Sequence, residues 1–144
     1  MTADLLFQIT SVAALAGWII LATGAAFDKP ILRDILAGRV WPFAFSVLYA
    51  LLIGAFFFKA DGGFDSLANV QKLFTSPWVA LAGWVHYLAF DLFIGAVIVR
   101  KIMQLRISRL FLLILLPLTL MFGPVGYATF VILRTGLAKQ ELAA

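Results

Sequence analysis

The sequence predicts an all-α, polytopic membrane protein with four transmembrane helices, and three observations carry that prediction. Hydrophobic residues make up 64% of the 144-residue chain and charged residues 12%. Mean hydropathy is +1.06, outside the range of soluble globular domains. Four apolar stretches are each long enough to cross ~30 Å of hydrocarbon at ~1.5 Å per residue. None shows the period-2 alternation of a barrel strand, so the chain is read as one four-helix transmembrane domain over residues 1–144.

The first span is expected at about 5–27. It follows only Met1 to Asp4 and lacks a basic n-region, so it reads as a span and not as a cleaved signal. No Arg- and Ser-rich transit segment precedes it, which points to a bacterial-type insertion route and the bacterial cytoplasmic membrane. The second span, about 41–58, is the shortest and opens at Trp41, which with Trp78 reads as an interfacial anchor.

Between residues 59 and 76, Asp61-Gly62-Gly63 is a turn former. Apolar residues at 64, 67, 70, 73 and 74 suit an amphipathic helix on the membrane surface; an irregular loop folded over the bundle end fits the same stretch. Ser76-Pro77 is a helix-start signal, because proline lacks a donor that would be unsatisfied there. The third span follows at about 77–99 and the fourth at about 110–133.

Orientation follows from the basic residues. Lys29, Arg33, Arg39, Arg100, Lys101, Arg106 and Arg109 lie after the first and third spans, against Lys59, Lys72, Arg134 and Lys139 on the opposite face. Seven against four places the first set in the cytoplasm and both termini outside. The pI near 9.8 therefore reads as topology and contact with anionic lipid, with no soluble domain to display a basic face to nucleic acid. With no cysteine in the chain, thiol catalysis, disulfides and cysteine-held clusters are excluded.

One short echo links the halves: Ala14-Leu15-Ala16-Gly17-Trp18 recurs as Ala80-Leu81-Ala82-Gly83-Trp84. Two duplicated helical hairpins in parallel orientation would place a site between the halves. Chance matching in so biased a composition is the simpler account of the echo.

The chemistry concentrates in Trp84-Val85-His86-Tyr87-Leu88-Ala89-Phe90-Asp91, which puts the only histidine and an aspartate inside an apolar span. An ionisable group there is costly unless paired or facing a polar cavity, and so marks a functional site by default. Trp84, Tyr87, Asp91 and Gly95 share one helix face, with Gly95 open to close approach of another backbone. His86 lies about 140° around from Asp91, directed to a neighbouring helix or to the edge of the same cavity.

The fourth span is interrupted by Gly123-Pro124-Val125-Gly126-Tyr127, which frees a carbonyl and loosens the helical ladder. Counted at ~1.5 Å per residue from the shared membrane face, Tyr127 lies ~10 Å deep, Pro124 ~15 Å, His86 ~14 Å and Asp91 ~21 Å, so the two features are level. Arg134 closes the span and either snorkels to headgroups or turns inward toward an acid. One histidine, few acids and no cysteine do not make a haem or di-iron site, and no metal or other cofactor is expected.

Gly83-Trp84-Val85-His86-Tyr87-Leu88-Ala89-Phe90-Asp91-Leu92-Phe93, followed by Phe122-Gly123-Pro124-Val125-Gly126 and Arg134, resembles the plant abscisic acid-deficient-type four-helix proteins needed for neoxanthin formation, and their bacterial relatives. The resemblance spans nearly the whole chain. It implies a carotenoid or other isoprenoid ligand and an intramolecular isomerase acting on an epoxy-xanthophyll. Plant members also carry a plastid transit segment, which this sequence lacks.

Converting a 5,6-epoxide to an allenic alcohol needs a proton delivered to the epoxide oxygen and one removed from the neighbouring polyene carbon, so an acid and a base in an apolar slot suffice. On the implied chemistry, His86 and Asp91 are the catalytic pair. Trp84, Tyr87, Gly123, Pro124, Tyr127 and Arg134 bind the substrate. The alternatives are a non-catalytic pigment- or isoprenoid-binding subunit, acting as a homo-oligomer or within a larger membrane complex, and a small transporter with its site at the Gly-Pro break.

Overall fold

The computed structural model describes residues 2–143, with side chains through residue 137. Four helices long and apolar enough to cross a membrane occupy Ala3–Ala26, Ile31–Lys59, Pro77–Gln104 and Arg109–Leu137, and the chain is a multi-pass membrane protein. We label the elements α1 (Ala3–Ala26), α2 (Trp41–Phe56), α3 (Leu67–Leu73), α4 (Pro77–Gln104) and α5 (Leu112–Ala143).

The second span begins ten residues earlier than its apolar content predicts. Residues 31–40 form a π-helix that runs directly into α2. Its charges find partners and so permit the helix: Arg33 pairs with Asp28 at 2.9 Å and Asp34 at 3.0 Å, and Asp34 also meets Arg100 of α4 at 3.5 Å. Trp41 therefore lies inside a continuous helix and not at its start. Its indole N–H donates to the Ala13 carbonyl of α1 at 2.7 Å, so it ties two spans together. Trp78, at the start of α4, stacks on Phe56 with ring centroids 4.6 Å apart.

Part of the 59–76 stretch is helical, as its periodicity predicts. Ser66 caps α3 by accepting from the Asn69 amide, and Leu73 is buried. Gly62 adopts φ +103°, and a Cβ there would strike the Asn69 carbonyl. The α4 start at Pro77 also holds, although the Ser76 side chain makes no capping hydrogen bond.

Helix α4 is the hub: α1, α2 and α5 all pack on it, whereas α1 and α5 make little direct contact with each other. Without a water-driven hydrophobic force inside lipid, such packing depends on small residues that admit close contact. A Cβ on Gly17 of α1 would lie 2.6 Å from Trp41 and 2.8 Å from Leu92. Gly95 of α4 likewise accepts the Trp18 ring, 2.6 Å from an added Cβ. Its partner is an aromatic side chain, not the second backbone that the sequence suggested.

The echoed pentapeptides sit in unlike surroundings. Trp18 is buried on Gly95, while Trp84 is partly exposed against Phe7 and Ser11 of α1. Lys139, counted in the charge asymmetry, lies outside the residues whose side chains are described.

Candidate active site at the break in α5

Helix α5 carries two prolines, Pro117 and Pro124, and loses helical geometry at Phe122 (φ −143°, ψ 44°). The second proline explains the position, because it has no N–H to offer the preceding turn and its ring crowds that turn's carbonyl. Gly126 is packed directly against Thr119 of the same helix, where a Cβ would clash with the Thr119 side chain and backbone. The Thr119 hydroxyl donates to the Leu115 carbonyl at 2.6 Å.

Asp91 of α4 faces this break. It is only 7% exposed, its carboxyl occupies the space that a side chain at Gly123 would fill, and its Oδ2 is shielded with no hydrogen-bond partner. Buried polar atoms are nearly always paired, so an unpartnered carboxyl oxygen at a helix break calls for a functional account. One turn earlier, the Tyr87 hydroxyl donates to the Met121 carbonyl at 2.8 Å. That bond satisfies an acceptor beside the break and fixes α5 against α4.

Trp84 completes the face. Its ring is stacked near Tyr87, with centroids 5.6 Å apart, and tilted against Phe7 at 5.3 Å. Its indole donates to the Ser11 hydroxyl at 3.1 Å. Of the residues the sequence singled out, the structure therefore brings together Trp84, Tyr87, Asp91 and Gly123.

The structure does not bring His86 to them. His86 is exposed on another face of α4, with its ring 5.2 Å from Tyr49 of α2 and 4.7 Å from Phe90. The two orientations open in the sequence thus resolve toward the neighbouring α2. The 100° advance per residue separates positions five apart on one helix. Pro124, Tyr127 and Arg134 point outward and are exposed.

Sequence reasoning missed Met121, Ser11 and Phe7. Ser11 carried a usable signal as a hydroxyl within the first apolar run; the carbonyl of Met121 carried none, because its availability depends on the backbone at Phe122. Among the described residues, no group of three His, Cys, Asp or Glu side chains converges to hold a metal ion.

Fold and site together define a four-helix membrane protein with a buried carboxyl set against a proline-glycine break. The family described as ABA DEFICIENT 4-like matches residues 5–130, and the chain belongs to that family. The family is associated with neoxanthin synthesis. No curated protein and no solved structure matches the chain.

Proposed function

We propose that the protein is a membrane-embedded isomerase of an epoxy-carotenoid, with Asp91 as its acid–base group. One observation carries this reading: Asp91 is a buried carboxyl with an unpartnered oxygen, lodged at the break in α5. A carboxyl group carries an acid and a base on one carbon. In its acid form, one oxygen donates a proton to the epoxide oxygen as the C6–O bond opens. The other oxygen takes the C7 proton, and the C7–H electron pair becomes the new C6=C7 bond of the allene. The group ends in its starting form, so the net reaction is an isomerisation with no oxidant or cofactor.

This reading assigns both proton transfers to Asp91 because His86 lies on another face of α4. Tyr87 is committed to Met121 and acts as a positioning residue, holding the break at the carboxyl. Trp84 and Tyr87 supply an aromatic wall for a ring and its first double bonds. Both termini lie outside, a reading supported by the charge asymmetry of the connecting segments.

Reconstituted protein supplied with violaxanthin tests the reading, with chromatography and mass spectrometry of the pigments. An allenic isomer of unchanged mass is expected. Recovery of unchanged violaxanthin bound to the protein would instead support the second reading, a non-catalytic isoprenoid-binding subunit. The separation of His86 from Asp91 favours that alternative over a two-residue catalyst.

A further inference from the structure

A groove of about 430 Å³ lies between the second span and α4, lined by Arg39, Phe43 and Ser46 on one side and by Phe90 and Phe93 on the other. We propose that it holds one anionic phospholipid, with the phosphate on the Arg39 guanidinium and one acyl chain along the aromatic wall. The site is separate from Asp91 and stands whether or not the isomerase reading does.

Charge selects the headgroup. Arg39 is the only ionisable residue lining the groove, and the acids at its end of the bundle are already taken. Asp28 is shared by Arg33 and Arg109, and Asp34 by Arg33 and Arg100. Arg39 therefore has no anionic partner among the described residues, although a cation inside a membrane span ordinarily finds one. A lipid phosphate supplies it, in the bidentate geometry that suits a guanidinium.

Depth puts that headgroup within reach. The adjacent Gly38 packs on α4 between Ala96 and Arg100, where an added Cβ would lie 3.4 Å from the Ala96 side chain and 3.4 Å from the Arg100 guanidinium. Helix α4 has 28 residues, ~42 Å at ~1.5 Å per residue, and so overshoots ~30 Å of hydrocarbon. Its last turn, from Arg100 onward, reaches the headgroups, and the long Arg39 side chain snorkels to the same level. Gly38 and Arg39 also belong to the π-helix of residues 31–40, an uncommon geometry that recurs at functional sites.

Polarity selects the chain. The Ser46 hydroxyl donates to the Pro42 carbonyl at 2.8 Å, so beyond Arg39 the groove presents phenyl rings and no free hydroxyl donor. From Gly38 to Ser46 it runs ~12 Å at ~1.5 Å per residue, room for the upper part of an acyl chain. The cleft between α1 and α5 offers no such headgroup site, because Arg109 at its end is held by Asp28 and by the Ala25 and Ala26 carbonyls.

Native mass spectrometry of the full-length protein in mild detergent tests the site, with phosphatidylglycerol and phosphatidylcholine of the same acyl chains titrated separately. The first phosphatidylglycerol should bind roughly fivefold more tightly than phosphatidylcholine. Arg39→Gln should bring the two lipids level. Ser46→Phe, which fills the groove from an exposed position, should weaken both. Lys101→Gln, at an exposed cation outside the groove, should leave the preference intact.

Equal binding of the two lipids by the parent, or a preference that survives Arg39→Gln, overturns the site. A preference lost as fully with Lys101→Gln as with Arg39→Gln does the same, since it would report only the net charge of that end. Loss with Arg39→Gln but unchanged binding with Ser46→Phe overturns the seating of the chain. A dimer that Ser46→Phe dissociates, with no preference between lipids, gives the groove to a second copy and overturns the lipid.

Discussion

Tyr87 of α4 donates its hydroxyl to the carbonyl of Met121, 2.8 Å away, immediately before the non-helical residue Phe122 of α5. A break inside lipid needs such a partner, because no water is present there to satisfy a freed carbonyl. The same bond fixes which residues of α5 face Asp91 one turn further along α4.

Tyr87→Phe removes only the hydroxyl and leaves the aromatic ring beside Trp84. Thermal unfolding in mild detergent should show a loss of ~0.5–1.5 kcal/mol, the usual worth of one hydrogen bond. An unchanged midpoint would mean that the Met121 carbonyl is equally well satisfied without Tyr87.

Gly123→Ala places a methyl where the Asp91 carboxyl lies. Overpacking of this kind costs ~1–3 kcal/mol, and the displaced carboxyl should lose its alignment, so product formation should fall with stability. Gly54→Ala is the control, since a Cβ there has nothing within 4 Å. Equal melting curves for the two variants would contradict the packing of Asp91 on Gly123.

His86→Ala separates the two faces of α4. Its ring meets Tyr49 and Phe90 and makes no hydrogen bond among the described residues, so stability should change by less than ~0.5 kcal/mol and isomerisation should persist. Lost product from a normally folded variant would return the base to His86.

The four spans were legible because hydropathy and length alone define them, and the break was legible because Pro124 between two glycines has no other common reading. The start of the second span was not. Arg33, Asp34 and Arg39 read as a loop until the partners of Arg33 and Asp34, Asp28 and Arg100, are known, and those pairings depend on tertiary structure. The Asp91 and Tyr87 face was legible from helical spacing, whereas its pairing with Gly123 depends on how α5 packs on α4, which spacing within one helix does not give. Tryptophan at the edge of an apolar run, as at Trp41, ordinarily marks the headgroup level. Here the helix continues beyond that edge and the indole bonds to α1.

Topology can be tested cleanly because the chain has no cysteine. Lys72→Cys should react with an impermeant maleimide added to intact cells, and Arg106→Cys only after lysis. The opposite pattern would invert the orientation derived from the basic residues.

The central claim is that the Asp91 carboxyl moves the proton, and Asp91→Asn tests it most directly. The amide keeps the shape of the side chain but cannot exchange a proton in the same way. In vesicles containing violaxanthin, the variant should retain the parent's thermal midpoint to within a few degrees while allenic product formation falls at least ~10²-fold. Parent-like turnover by the Asn variant would contradict the account.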